Sequence, residues 1–102
     1  MTDDKFDLSK ANTGLHELYL SSLLINDAEA ALIAAVIRFN GAMTQLSLSL
    51  NQIGDSGATA LAEGLKHNGA LTTLNLCCNH ISEEAKKTIR DAWGDRGGSL
   101  QL

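Results

Sequence analysis

Proline is absent from this chain of 102 residues, and aromatic side chains are scarce. No helix or strand is therefore interrupted by a proline ring, and aliphatic side chains must supply most of the core. The longest apolar run, residues 30–37, is far too short to span a bilayer. Acidic residues crowd the first seven positions, where a secretory signal would need basic residues and then an apolar run. We therefore expect a cytoplasmic protein with no membrane segment.

Positive charge is also in short supply. Eight lysines and arginines stand against twelve acidic residues, which gives a formal net charge of −4. Nucleic acids and anionic membrane surfaces both require a basic stripe on the protein. The composition therefore argues against either partner and leaves a protein partner as the expectation.

Only two cysteines occur, and they are adjacent, so they cannot join distant parts of a fold. We expect Cys77 and Cys78 to be reduced thiols. His80 lies close to them, but neighbouring strand residues point to opposite faces, which is poor for joint metal ligation. Zinc also needs four converging ligands, and a Cys–His nucleophile needs an orienting partner that the sequence does not supply. We therefore predict no cofactor, no metal site and no catalytic residue.

In place of these features the chain has an internal repeat with a period of 28 residues. Two columns of leucine, one of isoleucine and one of glycine keep this spacing: Leu18, Leu46 and Leu74; Leu20, Leu48 and Leu76; Ile25, Ile53 and Ile81; Gly41, Gly69 and Gly97. A fixed period between about 20 and 50 residues marks a repeat architecture. The predicted divisions are an N-terminal extension or partial cap strand at 1–14, a repeat domain at 15–102, repeats at 15–42, 43–70 and 71–98, and a terminal strand stub at 99–102.

Each repeat changes its periodicity midway. Residues 43–48 alternate apolar and polar, as a half-buried strand does, and residues 51–55 have the composition of a turn. Residues 56–65 then place apolar side chains at helical spacing. A strand, a crossover helix and a parallel return strand form a right-handed unit, and units of constant length stack on one another. We therefore predict a short right-handed α/β solenoid with a parallel sheet on the concave side and helices on the convex side.

Short polar segments predict where the helices begin and end. Asn26 followed by Glu29 fits a capping box, and Ser82 fits the start of the third helix. Asn68 and Gly69 together predict a left-handed end to the second helix. These boundaries give one helix to each repeat.

The repeats resemble the leucine-rich repeat family, whose pattern is L-x-x-L-x-L-x-x-N-x-I. Residues 71–81 match at every position, and residues 43–53 match with Met43 in the first place. The period and the run 54–58 are similar to the ribonuclease-inhibitor-like subclass, which also occurs in nucleotide-binding innate immune receptors and in activators of a small GTPase. Because the family binds very different proteins, the resemblance implies protein binding without naming a partner.

The resemblance also assigns a structural role to Asn51 and Asn79. Both side chains would hydrogen-bond backbone groups of the turns inside the stack. Leu23 occupies this column in the first repeat. The first turn must therefore satisfy its backbone in another way, and we expect a distorted first repeat.

Strand alternation sends one set of side chains to the concave face if the leucines point inward. The set is Glu17, Tyr19, Ser21, Gln45, Ser47, Ser49, Thr73, Asn75, Cys77 and Gln101. Such a face is polar and nearly uncharged, and Tyr19 is its only large side chain. Two interpretations stay open: a protein-binding surface of modest strength, or a solvated sheet face with the binding site elsewhere.

The first helix carries more apolar residues than its counterpart in the second repeat. Leu32, Val36 and Phe39 are the residues that we expect to form an apolar surface there. Either residues 1–13 fold over this surface or another chain covers it, and thirteen mostly polar residues offer little cover. We therefore expect self-association through the N-terminal repeat, giving a homo-oligomer, or a partner at this end.

Non-enzymatic protein binding is the function that we predict for such a solenoid. Two alternatives remain: a structural unit that assembles with copies of itself, and a regulatory or GTPase-activator-like module. The second would need a charged loop to supply catalysis to its partner. No arginine lies in the strand-to-helix turns at 26–27, 54–55 and 82–83.

Overall fold

Strands and helices alternate along residues 16–102, the part of the chain that this computed structural model describes. The strands are β1 Glu17–Tyr19, β2 Gln45–Ser47, β3 Thr73–Asn75 and β4 Ser99–Gln101, and the helices are α1 Asp27–Phe39, α2 Asp55–Lys66 and α3 Glu83–Trp93. Each of the first three strands is followed by one helix, as predicted, and β4 falls in the terminal stub. The extension predicted at residues 1–14 lies outside the described residues.

The four strands form one parallel sheet in sequence order, β1-β2-β3-β4. The register pairs Leu18 with Leu46, Leu46 with Leu74, and Leu74 with Leu100. Leucines that are equivalent in the sequence are therefore neighbours across the sheet, because each repeat places its strand in the same register with the strand before it. This arrangement confirms the predicted fold class: a short α/β arc of parallel strands alternating with helices.

The core lies between the sheet and the helices. Both strand columns of leucine are buried there, apart from Leu18, which is half-buried in the first strand. The helices contribute Ile33, Ile37, Leu61, Leu65, Ile89 and Trp93, each at most 7% exposed. The apolar side chains that recur every two residues along the strands therefore pack against those that recur every 3.6 residues along the helices, in a single layer.

Local polar contacts fix where the helices begin. The Asn26 side chain accepts a hydrogen bond from the Glu29 N–H at 2.9 Å, and the Glu29 carboxylate accepts one from the Asn26 N–H at 3.1 Å. The predicted capping box of α1 is therefore present. Ser82 begins α3 by accepting from the Ala85 N–H at 3.2 Å.

The left-handed helix end predicted at Asn68 and Gly69 is wrong. α2 ends at Lys66, its C-cap residue His67 has φ −105°, and Gly69 is not among the residues with positive φ. The Asn68 side chain is instead buried and hydrogen-bonded to backbone groups on both sides of the turn. Its Nδ2 donates to the Ile37 and Asn40 carbonyls of the preceding repeat, so this carboxamide joins two repeats, whereas a left-handed cap would have bonded carbonyls of its own helix.

Two glycines permit close approaches that a side chain would block. A Cβ on Gly64 of α2 would lie 2.7 Å from the Ala34 carbonyl oxygen of α1, so these two helices pack tightly there. Gly98, with φ +72°, runs directly against the backbone of Thr72. That contact lets β4 join the sheet although Leu100 follows Leu74 by only 26 residues.

Candidate functional site

The concave face, defined here as the sheet surface away from the helices, carries the predicted site residues in three rows. The rows are Glu17, Gln45 and Thr73; then Tyr19, Ser47, Asn75 and Gln101; then Ser21, Ser49 and Cys77, two residues further along each repeat. Along every strand the central leucine is more buried than its two neighbours. Alternation therefore places the strand members of the set on this face.

Tyr19 is the most prominent side chain of the concave face, with 60% of its surface exposed. Its hydroxyl donates to Gln45 Oε1 at 2.6 Å, and Gln45 Nε2 donates to Glu17 Oε2 at 3.4 Å. Desolvation and the neighbouring Glu17 carboxylate raise the pKa of Tyr19. The phenol consequently stays protonated at neutral pH, and its ring is tethered across two repeats.

The third row is less open than predicted. Ser49 is only 8% exposed, so the prediction that it lies on the open surface is wrong. Its hydroxyl lies 2.9 Å from that of Ser21, which lies 2.9 Å from that of Ser47. The Ser21 hydroxyl is therefore within hydrogen-bond distance of the other two, across the repeats. Ser21 and Cys77 remain half-buried, like Ser47 and Asn75 of the second row.

The expectation that Cys77 and Cys78 point to opposite faces, as neighbouring strand residues do, is wrong. Cys78 has φ +67°, and the two Sγ atoms lie 3.1 Å apart. The strand ends at Asn75, so the alternation rule no longer applies two residues later. Within residues 16–102 no three histidine, cysteine, aspartate or glutamate side chains are grouped so that they could hold a metal ion.

The Asn51 and Asn79 side chains bond the turns that follow β1 and β2. Asn51 Oδ1 accepts from the N–H groups of Leu23 and Ile25 at 2.8 and 3.0 Å, while its Nδ2 donates to the Leu20 carbonyl at 2.9 Å. Asn79 makes the equivalent contact with the turn after β2, where its Oδ1 accepts a hydrogen bond from the Ile53 N–H at 3.0 Å. Each asparagine therefore serves the repeat before its own as well as its own turn.

This offset explains why Leu23 is tolerated in the asparagine column. The first turn receives its hydrogen bonds from Asn51 in the second repeat, not from a side chain of its own. Its backbone nevertheless differs, because Leu24 has φ +58° whereas the equivalent residues Gln52 and His80 do not adopt positive φ. The first repeat is thus distorted at one residue.

A second column of buried asparagines, which was not predicted from the sequence, makes hydrogen bonds where the chain enters the strands. Asn40 and Asn68 occupy equivalent positions, and each accepts from two N–H groups just before the following strand. Asn68 Nδ2 also donates to the carbonyls of Ile37 and Asn40, one repeat earlier, at 2.8 and 2.7 Å. The spacing of 28 residues between the two asparagines could have revealed this column, but Asn68 was assigned from the sequence only to the end of the second helix.

Arg96 takes the place of asparagine in the last repeat. Its guanidinium donates to the Leu65 carbonyl at 2.9 Å and to the Asn68 carbonyl at 2.8 Å, the counterparts of the two groups that Asn68 contacts. The same group stacks 4.9 Å from the ring centroid of Trp93. Burial lowers the pKa of Arg96, yet a guanidinium keeps its charge in proteins. Arg96 therefore closes the last described junction between repeats.

Aspartates join the starts of successive helices. Asp27 Oδ1 accepts from the N–H groups of Gly54 and Gly57 at 2.6 and 3.1 Å, and Asp55 Oδ1 accepts from the Ser82 N–H at 2.7 Å. The hydrogen bond from Ser82 lowers the pKa of Asp55. Each carboxylate thus caps the helix of the repeat after its own.

The middle repeat matches a known family. Residues 43–62 match the model of the leucine-rich repeat. No curated protein matches the chain at a significant level. The matched segment contains β2, Asn51 and the first part of α2. The strand register and the asparagine contacts extend the same plan to its two neighbours, which is consistent with a short leucine-rich-repeat arc.

The outer surface of the first repeat is apolar, but not through all the predicted residues. Leu32 and Phe39 are 55% and 79% exposed, whereas Val36 is 6% exposed, so its prediction as a surface residue is wrong. Val36 follows Ile33 by three residues and precedes Ile37, so the helix turns it into the core with them. Exposed apolar surface on α1 therefore runs along Leu32, Ala35 and Phe39.

A shallow groove of about 350 Å³ borders this apolar stripe between the helices of the first two repeats. Ala31, Ala35 and Arg38 of α1 line one side, and Ala60 and Glu63 of α2 line the other. No helix among residues 16–102 is long and apolar enough to cross a membrane.

Proposed function

We propose that this chain is a non-enzymatic, cytoplasmic protein-binding module that takes a protein partner on its concave face. Leucine-rich repeat modules generally mediate protein interactions. The observation that carries the proposal is the position of Tyr19, exposed at the end of β1 on the concave face and tethered to Gln45. Tyrosine is enriched among the residues that dominate binding, because it offers a large contact area at a small entropy cost.

The neighbours of Tyr19 suit the rim of such a contact. Ser47, Thr73 and Asn75 are half-buried, short and polar, so a partner can approach the sheet and exclude water around the tyrosine. The net charge of −4 and a concave face whose one charged side chain is the acidic Glu17 favour a protein over a nucleic acid or an anionic membrane.

Site-specific photo-crosslinking tests the proposal. A photoreactive phenylalanine analogue placed at Tyr19 should give one discrete covalent product in a native extract, and unmodified chain added in excess should compete it away. The same analogue at Thr59, exposed on the outer side of α2, is the matched control and should give no such product. Equal products from both positions, or a product from Thr59 alone, would contradict binding through the concave face.

Self-association is a second candidate, favoured by the exposed apolar stripe of Leu32, Ala35 and Phe39 on α1. Exposed patches of this kind mark interaction surfaces in soluble proteins. In light scattering, a mass that rises with concentration above the 10.8 kDa of one chain is the expected result. A constant monomer mass would exclude the stripe as a homo-oligomer interface.

We also propose that the repeats belong to the ribonuclease-inhibitor-like subclass. Its support is the period of 28 residues and the α-helix in each repeat, 13, 12 and 11 residues long in α1, α2 and α3. The far-ultraviolet circular dichroism of the chain should accordingly show a substantial helical contribution. A spectrum dominated by strand and coil would contradict this assignment.

A further inference from the structure

The two cysteines form a close pair at the end of the third strand. Their Sγ atoms lie 3.1 Å apart, with Cys77 half-buried and Cys78 exposed to solvent. No other cysteine occurs in the chain. Any reaction between two thiols of one chain must therefore take place at this pair.

The repeat itself brings the two thiols together. Cys78 has φ +67°, and the residues at the same position in the other repeats, Ser22 and Leu50, have φ +61° and +59°. Three different side chains thus share one left-handed turn, so the turn belongs to the scaffold and not to cysteine. The Cys77 carbonyl accepts a hydrogen bond from the Leu50 N–H at 3.1 Å, which ties this backbone to the preceding repeat.

We propose that Cys77 and Cys78 form a site of reversible oxidation, at which a low-molecular-weight disulfide such as glutathione disulfide converts the two thiols into one intrachain disulfide. This inference goes beyond the proposed binding function and does not depend on it. The Cys78 thiolate attacks one sulfur of the small disulfide, forms a mixed disulfide and releases one small thiolate. The Cys77 thiolate then attacks the Cys78 sulfur and displaces the second small thiolate.

Protons and electrons balance in this thiol–disulfide exchange. Two protein thiols are oxidised and lose two protons and two electrons, and one small disulfide is reduced to two small thiols, which take up those protons. No metal and no further oxidant is needed.

Accessibility sets the order of the two steps. The exposed sulfur of Cys78 is open to a small disulfide, whereas that of Cys77 is half-buried. The hydrogen bond with Cys78, and then burial, raise the pKa of Cys77 and keep this thiol protonated until the mixed disulfide forms. Cys77 is then the nearest nucleophile to the modified sulfur.

The product should be easy to reduce. Adjacent Cα atoms lie about 3.8 Å apart, which is shorter than the ~4.4–6.8 Å common in disulfides. Such a bond is strained, so small thiols reopen it. This favours a reversible modification over a permanent structural bond.

Thiol counting on the full chain tests the proposal. After exposure to glutathione disulfide, free thiols per denatured chain should fall from two to none, intact mass should show no retained glutathione, and dithiothreitol should restore both thiols. The Cys77→Ser variant should instead retain one glutathione, because the second step is lost. Persistent glutathione on the wild-type chain, a disulfide-linked dimer, or two unreacted thiols would each overturn the proposal.

Two transplanted pairs separate the effect of the turn from that of mere adjacency. Both start from the Cys77→Ser, Cys78→Ser chain, with folding checked by circular dichroism. Cysteines at Ser49 and Leu50, on the equivalent left-handed turn, should close as the native pair does. Cysteines at Thr72 and Thr73, where the chain enters β3 and alternation separates the side chains, should close at least about tenfold more slowly. Equal closure of the two transplanted pairs would contradict the role given to the repeat.

Discussion

The first and last helices hold the same place in the repeat and present opposite surfaces. Leu32, Ala35 and Phe39 are exposed on α1, whereas the residues at the same positions of the last repeat are Thr88, Asp91 and Asp95. On α3, Lys87 forms an ion pair with Asp91 at 3.0 Å. One core pattern therefore supports both an apolar and a polar outer helix, and the outer residues alone decide what each end can do.

The last repeat is also closed by a residue that the earlier ones lack. Asn68 bridges the first two repeats with a short carboxamide, whereas Arg96 bridges the last two with a longer, charged guanidinium stacked on Trp93. On α1 the Arg38 guanidinium also lies over an aromatic ring, 5.7 Å from the centroid of the exposed Phe39. We infer that the apolar end is the one suited to association.

The largest expected effect tests the core that both ends share. Ile33 on α1 and Ile89 on α3 are equivalent and fully buried, so truncating either to alanine should cost about 2–5 kcal/mol. Urea denaturation should give similar losses for both. The exposed neighbours Leu32 and Thr88 are the controls, and their alanine variants should change the free energy of unfolding by less than about 1 kcal/mol. A large difference between Ile33→Ala and Ile89→Ala would break the equivalence of the two ends.

The asparagine column gives the next largest effect. Asn51→Leu would remove the hydrogen-bond partners of the Leu23 and Ile25 N–H groups and of the Leu20 carbonyl. Each buried group left without a partner costs about 1–3 kcal/mol. Asn79→Leu should cost less, because Asn79 is more exposed and accepts one hydrogen bond where Asn51 accepts two. Equal urea midpoints for the two variants would show that burial does not set the cost.

Arg96→Met tests the closure of the last repeat. The change keeps most of the apolar stem but removes the hydrogen bonds to the Leu65 and Asn68 carbonyls, for an expected loss of about 1–3 kcal/mol. Arg90→Met, on the exposed side of α3, should stay within about 0.5 kcal/mol of wild type. If both arginine variants unfold at the same urea concentration, Arg96 does not lock the last repeat.

The smallest effect depends on pH. The hydrogen bond from Ser82 lowers the pKa of Asp55 in the folded chain, so the carboxylate stabilises the fold above its ordinary pKa of about 3.9. That contribution is lost as the pH falls through the lower folded value. Asp55→Asn should therefore be less stable than wild type at neutral pH, with a difference that shrinks in acid. A stability difference between Asp55→Asn and wild type that stays the same from neutral to acidic pH in urea denaturation would contradict this capping role.

The sequence predicted the fold well because each column of the repeat stacks on itself. Leucines at a constant spacing can lie in one layer only if every repeat follows the same path. The register of the strands and the leucines of the core could therefore be predicted from the period. The rows of the concave face followed from strand alternation as far as Tyr19, Ser47 and Asn75.

What failed depended on neighbours in space. Val36 was predicted as a surface residue because the first helix carries more apolar residues than the second, yet Val36 packs in the core with Ile33 and Ile37. Asn68 was interpreted within its own turn, although its partners lie one repeat earlier. Cys78 was treated as strand, whereas its backbone is left-handed.

Sedimentation equilibrium on matched charge variants tests the contrast between the two ends most directly. One variant carries Leu32→Glu with Phe39→Lys on α1, and the other carries Thr88→Glu with Asp95→Lys at the equivalent positions of the last repeat. We expect the wild-type chain and the second variant to associate, and the first variant to sediment as a monomer of 10.8 kDa. Three monomers, or persistent association of the first variant, would contradict the assignment of association to the apolar end.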